Sequence, residues 1–201
     1  MIYYPWSQNE DDESFAWIET HPDEIRKKIY RLTKGLSIKH WDQGNWFPND
    51  LVYEIAPDDG IKLVDATPNY STLLIISERL KSLLESESNA SFEFLKIGIK
   101  DKKGHIIKKN YFIANLLDTI ACVDMEKSNF RMDNIIKTQV DIFKTLVLDQ
   151  IKIESSKKIF RLAEMTSLII VREDLAQKIL DEGYTGVAFR DISEYGSEYR
   201  D

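Results

Sequence analysis

Two stretches of this chain, 72–97 and 167–192, align without a gap at a constant offset of 95. Seven of the 26 paired positions are identical: Leu73/Leu168, Ile75/Ile170, Glu78/Glu173, Leu80/Leu175, Glu87/Glu182, Phe94/Phe189 and Ile97/Ile192. Four more, Leu74/Ile169, Ile76/Val171, Leu84/Ile179 and Phe92/Val187, exchange one apolar side chain for another. Each stretch opens on four apolar residues, continues with leucines or isoleucines at helical spacing and closes on an alternating run. That order reads as strand, helix, strand. If the two strands of a unit lie side by side and parallel, the helix must cross over them, normally with a right hand. Two units are too few for a solenoid. The matched positions are those that would face a core, so the repeat carries architecture and not chemistry.

The expected fold is therefore α+β, with mixed sheets built on two duplicated strand-helix-strand units and an N-terminal helix. Thr20-His21-Pro22-Asp23 reads as the start of that helix, with Thr20 as its cap. Ile25, Ile29 and Leu32 follow at spacings of four and three, and Gly35 stops it. Short strands are expected near 2–4, 51–56, 61–64, 141–148 and 158–162. Asp101-Lys102-Lys103-Gly104 reads as a hairpin turn with a return strand over 105–113. Residues 115–128 fit neither periodicity. Residues 1–50 form an extension packed on a body of 51–192, and 193–201 is a polar tail.

A chain of 201 residues, 43% hydrophobic and 30% charged, can bury roughly 70% of its unfolded surface. Cys122 is the lone cysteine, so an internal disulfide is excluded and the secreted disulfide framework is absent. Apart from residues 1–6 read through Pro5, no apolar run exceeds four residues, far from the ~20 a membrane helix requires. The N-terminus carries no secretory pattern. The expected location is the cytoplasm. The net charge of −7 is localised. Glu10, Asp11, Asp12, Glu13, Glu19, Asp23 and Glu24 lie in the first 25 residues with no Lys or Arg, which leaves 27 acids and 27 bases in the remainder. Such a segment either steers a basic partner or solubilises the chain.

The same segments resemble the MXAN-type immunity protein domain, a bacterial family associated with polymorphic toxins. Ser77-Glu78-Arg79-Leu80 follows an apolar strand, and Phe94-Leu95 comes a helix later. Leu146-Val147-Leu148-Asp149 with Lys152-Ile153 is similar to the family's middle motif. Phe160-Arg161-Leu162 leads into Ser167-Leu168-Ile169-Ile170-Val171. Gly183-Tyr184-Thr185-Gly186-Val187-Ala188-Phe189 resembles its ending. The resemblance covers about 51–192, carried by order and spacing and not by any one motif. Lys96 stands where the family tends to have proline, and Arg172-Glu173-Asp174 where Ser-Glu-Arg is usual. The resemblance implies a protein that protects a cell by binding a toxin. It brings no catalytic residues with it.

The residues themselves offer little catalytic chemistry. His21, His40 and His105 form no metal-binding pair, and one cysteine completes no zinc set. Phosphate-loop, dinucleotide and nucleophile-elbow patterns are absent. Asp58-Asp59 reads as a turn, and Asp124 with Glu126 could place two carboxylates on one strand face. Cys122 reads as a buried thiol. Lys96, Lys100, Lys102, Lys103, Lys108 and Lys109 surround the hairpin turn without arginine, which fits edge protection better than nucleic-acid binding. The chain is thus read as a binder without metal or cofactor. The partner that the resemblance implies is a protein toxin, and neither nucleic acid nor membrane is expected. The candidate contacts are Asp11, Asp12, Glu13, Glu19 and Asp23, then Trp41, Trp46 and Phe47, which either form a recognition loop or pack as a lid. A small carboxylate-dependent hydrolase or transferase, and a self-associating module, stay open beside it.

Overall fold

The computed structural model describes residues 1–9, 12–40, 43 and 45–196. The strands are β1 (Tyr3–Gln8), β2 (Val52–Glu54), β3 (Ala66–Thr67), β4 (Ile75–Ser77), β5 (Phe92–Lys100), β6 (Tyr111–Leu116), β7 (Thr119–Ile120), β8 (Asn129–Met132), β9 (Val140–Thr145), β10 (Ile159–Leu162), β11 (Ile169–Arg172) and β12 (Val187–Phe189). The helices are α1 (Asp23–Arg26), α2 (Tyr30–Thr33), α3 (Glu78–Glu87) and α4 (Glu173–Asp181). The fold is α+β with mixed sheets. One five-stranded sheet has the order β12-β1-β11-β10-β7, the other β2-β5-β6-β4-β3, and β8-β9 forms a separate ribbon.

Both repeat segments fold as strand, helix, strand. α3 and α4 begin 95 residues apart, and so do β5 and β12. The two strands of a unit are not neighbours, however, contrary to the simplest expectation. β6 lies between β4 and β5, antiparallel to both, and β1 lies likewise between β11 and β12. The strands of a unit are therefore parallel to each other across one intervening strand. β3 and β10 then flank β4 and β11, again antiparallel. Four strands thus share order and direction in the two sheets. The middle strand comes from after the unit in one sheet and from the N-terminus in the other, which no local sequence pattern announces.

The layering follows from strand alternation. Leu74 and Ile76 of the first unit, and Ile169 and Val171 of the second, turn inward. There they meet Leu80, Leu83 and Leu84 of α3 and Leu175, Ala176 and Ile179 of α4, so both helices and both inner sheet faces share one core. Leu73 and Ile75 turn outward under a layer built from Ala16, Ile18, Ile25, Leu32, Trp46 and Tyr53. Leu168 and Ile170 turn outward under Cys122, Val123, Val140, Phe143 and Leu146. A four-residue apolar run is required because both faces of each strand are buried. Each such side chain contributes about 1.5–3 kcal/mol.

The local chemistry of the two helices differs. Ser77 caps α3 by accepting from the Leu80 amide at 3.2 Å. Arg172 occupies the equivalent position of α4 and cannot cap. Asp174 one turn in instead grips its guanidinium at 2.7 and 2.8 Å, which holds the Asp174 carboxyl down at about 2. Gly183 closes α4 with φ +69, while in the first unit Asn89 adopts the left-handed conformation with φ +49.

Several boundaries depart from the sequence reading. The N-terminal helix forms as two four-residue pieces, and Pro22 rather than Thr20 precedes the first. So short a segment has little helical stability of its own, and the burial of Ile25 and Leu32 decides its shape. No strand forms over 61–64; β3 follows at Ala66. The return strand of the hairpin begins at Tyr111, with only an isolated bridge between Lys100 and Ile106 before it. β1 extends beyond the expected 2–4 and contains Pro5. Its missing N–H faces β12, which begins to pair only at Trp6, so no ladder bond is lost.

Arg161 on β10 is 1% exposed and has no carboxylate partner among the described residues. Its guanidinium donates instead to four main-chain carbonyls: Leu116 at 3.0 Å, Thr33 at 3.1 Å, Thr166 at 2.8 Å and Leu32 at 3.2 Å. Burial lowers its pKa to about 10. Gly35, at φ +64, lets the chain pass beneath; a Cβ there would stand 2.5 Å from the Leu116 carbonyl oxygen and 2.9 Å from Arg161 Cδ. Arg161→Leu should lower the unfolding free energy by about 3–5 kcal/mol, because four buried carbonyls lose their donors. Arg161→Lys should recover only a minor part, since an ammonium cannot reproduce the planar fork. Urea titration checks both as a fall in midpoint at unchanged slope.

Candidate partner-binding surface

The acidic N-terminal segment lies in extended form beside residues 62–69. Phe15 bridges Lys62 and Ile18 bridges Asn69, both in parallel register. The Ala16 and Ile18 amides donate to the Lys62 and Pro68 carbonyls, each at 3.0 Å, and the Ala56 amide donates to the Trp17 carbonyl at 2.9 Å. Ala16 and Ile18 are buried beneath. The segment is thus attached along both of its edges.

The acidic candidates do not form one continuous charge. Asp11 lies outside the described residues. Asp12 pairs with Lys62 at 3.7 Å, and hydrogen bonds from Ser14 together with that lysine lower its pKa. Asp23 pairs with Arg26 at 2.9 Å. Glu13 and Glu19 are exposed and join no ion pair among the described residues. Two of the acids are therefore answered by local bases that lie distant from them in the sequence or one turn along.

Trp41 also lies outside the described residues. Trp46 is 5% exposed and belongs to the outer core layer. Its indole donates to the Ile38 carbonyl at 2.9 Å, the Arg31 guanidinium lies 5.4 Å from its ring, and Phe47 meets it edge-on at 5.8 Å. Phe47 is half-buried against it. The segment is held from β5, where Glu93 accepts from Ser37 at 2.5 Å and from the Ile38 amide at 2.9 Å.

One further aromatic pair, an exposed Tyr70 beside a half-buried Trp17, was not among the sequence candidates. Tyr70 is 67% exposed and its ring lies 5.3 Å from that of Trp17. Trp17 sits in an alternating stretch with Ala16 and Ile18 inward, a pattern that points it outward. Tyr70 follows Pro68-Asn69, whose turn chemistry is legible but whose contact with residue 17 is not.

Beside this pair, His21 joins two hydroxyls. Its Nδ1 lies 3.0 Å from the buried Tyr53 hydroxyl, and its Nε2 is hydrogen-bonded to Ser71 Oγ. Burial, then the charge of Arg26, lower the His21 pKa, and burial raises that of Tyr53. Among the described carboxyls, Asp12, Glu87, Asp101, Asp124, Asp133, Asp174 and Asp191 have lowered pKa values, each held down chiefly by hydrogen bonds from neighbouring side chains or amides. Asp124 and Glu126 lie in a turn, not on a strand face, because Asp124 accepts from the Glu126 and Lys127 amides. Cys122 is buried, and its thiol is pushed up to about 12 by burial and the nearby Glu164 charge. Around the hairpin, Lys100 pairs with Glu54, and Lys102 donates to the Pro57 and Asp59 carbonyls. No three His, Cys, Asp or Glu side chains converge on one point among the described residues.

Two larger concavities are present. A cleft of about 510 Å³ between the sheets is lined by Thr72, Leu73 and Leu74 of the first unit and by Ser167, Leu168 and Ile169, their partners at offset 95. A more apolar groove of about 720 Å³ runs between the N-terminus at Met1 and Ile2 and the strand end at Leu146–Leu148. Neither is lined by a pair of carboxylates. No described helix is long and apolar enough to cross a membrane.

The model of the immunity protein family (Imm11) matches residues 10–194, and the chain belongs to that family. No curated protein matches the chain.

The titration of His21 has a direction. Its folded pKa lies below 6.5, so the unfolded chain takes up a proton that the native network refuses. Stability from this site is present above pH 6.5 and is lost as pH falls through that value toward the folded pKa. His21→Asn should flatten the pH dependence of stability between pH 7 and 5, read from urea midpoints across that range.

Proposed function

We propose that this immunity protein neutralises a cognate protein toxin in the cytoplasm by stoichiometric binding, without turnover of its own. The observation that carries this reading is the family match over residues 10–194. Occlusion of the toxin's active site or of its substrate path is the mechanism such a binder can use. We read the two strand-helix-strand units as an internal duplication, supported by the common offset and the common strand order. The duplication supplies a scaffold on which the N-terminal segment is mounted.

The test is protection. Cells expressing a candidate cognate toxin should grow when the chain is co-expressed, and the purified pair should form a complex of fixed stoichiometry. A complex that forms only with catalytic consumption of the toxin would oppose the reading. Replacing Asp11, Asp12, Glu13, Glu19 and Asp23 by their amides should slow association at low salt. At 1 M salt, where screening shortens to ~3 Å, the difference should vanish. Glu13 and Glu19 should each contribute more than Asp12 and Asp23, which are ion-paired within the chain. Thermal stability should barely move, as Glu13, Glu19 and Asp23 are exposed.

A further inference from the structure

We propose that Trp17 and Tyr70 form the anchor of the docking surface, and that its occupant is an arginine-bearing face of the toxin. The proposal rests on the immunity reading and specifies where and by what chemistry the partner is held.

The first ground is exposure without a local reason. Tyr70 is 67% exposed and Trp17 is half-buried beside it, with ring centroids 5.3 Å apart and planes tilted by 43°. Elsewhere this molecule covers its aromatic faces with its own cations: Arg79 lies 3.9 Å from the Tyr184 ring centroid, Lys62 5.1 Å from that of Phe15 and Lys81 5.1 Å from that of Phe94. Among the described residues no cation lies over Tyr70 or Trp17.

The second ground is rigidity. Asn69, buried, ties the turn that presents Tyr70. Its side-chain amide donates to the Thr67 carbonyl at 3.2 Å and the Leu73 carbonyl at 2.9 Å. Its oxygen accepts from the Ser71 amide at 3.2 Å and the Leu73 amide at 3.1 Å. Gln8 of β1 donates to the Asn69 carbonyl at 2.8 Å and accepts from its amide, and His21 holds Ser71. Thr72, a β-branched residue, is kept at φ +54. A turn bonded this completely gives up little freedom on binding, and tyrosine and tryptophan offer large contact area with few torsions to freeze.

The third ground is charge. Glu19 lies next to Tyr70 in the register that pairs Ile18 with Asn69, and Glu13 follows on the same strip, while Asp12 is answered by Lys62. Uncovered aromatic faces with carboxylates beside them are complementary to guanidinium, which stacks on the ring while donating to the carboxylate. Lysine can satisfy the charge but stacks less well.

The experiment uses the full chain and a defined probe, acetyl-hexa-arginine amide, at low salt. Amide and indole N–H resonances should shift at Trp17, Glu19 and Tyr70. Hexa-lysine should bind several-fold more weakly. Tyr70→Ala should weaken hexa-arginine by about fivefold or more, and Tyr70→Phe should leave it within about twofold, since the ring face is kept. Circular dichroism should show all variants folded, and the wild-type footprint stands independently of any variant. Shifts centred elsewhere, equal affinity for hexa-lysine, or an unchanged affinity in Tyr70→Ala would each overturn the proposal. With the toxin itself, a Tyr70→Ala chain that protects cells as well as wild type at equal dose would refute the surface while leaving the immunity reading intact. Failure of the wild-type chain to protect would strike the immunity reading, and the hexa-arginine footprint would still decide the surface.

Discussion

The buried guanidinium of Arg161 is the interaction through which the separate parts of this fold meet. It stands on β10 of one sheet, reaches the end of β6 in the other, receives the last carbonyls of α2 and closes the turn at Thr166. A cation taken out of water without a counter-ion is costly, and only dense hydrogen bonding offsets that. Here carbonyl dipoles replace the carboxylate, two of them at the C-terminal end of a helix where negative partial charge gathers. The arrangement specifies a geometry. Any shift of the N-terminal extension relative to the sheets leaves a charged donor unpartnered in the interior.

Around that point the chain repeats one solution twice. Each unit sends a strand out, crosses by a helix and returns parallel two places away, leaving a gap that an antiparallel strand fills. In one sheet the filler is β6, close in sequence; in the other it is β1, from the far end of the chain. The second choice makes the N-terminus structural. Having been drawn into the sheet at Tyr3–Gln8, the chain must then run along the outside of the molecule, and this sets residues 12–19 beside 62–69. The acidic segment is therefore held as an attached strip, with Ala16 and Ile18 buried and the intervening side chains turned to solvent.

Much of this was legible. Runs of four apolar residues required strands buried on both faces, and leucines at helical spacing required α3 and α4. The offset of 95 pointed to two stretches that both fold as strand, helix, strand. The single cysteine was correctly read as buried beside Val123. Less was legible where short elements depend on what covers them. The Thr20–Gly35 helix breaks in two, the expected strand over 61–64 is absent, and Asp124 turns the chain instead of continuing a strand.

What the sequence by itself determined is therefore the class of the fold and its family, because both are written in the periodicity and order of apolar residues along contiguous stretches. Which strand fills the gap in each unit, which acids find a base, and which aromatics remain on the surface were decided only in three dimensions. Trp46 and Tyr70 show the reason. Both follow turn-rich polar sequence and neither carries a periodic signal. One meets a carbonyl and a guanidinium supplied by an earlier segment, beside the ring of its neighbour Phe47, and is buried. The other meets one indole and is left facing water. Burial of a single large side chain depends on partners brought from elsewhere in the chain, and their arrival is a property of the packing.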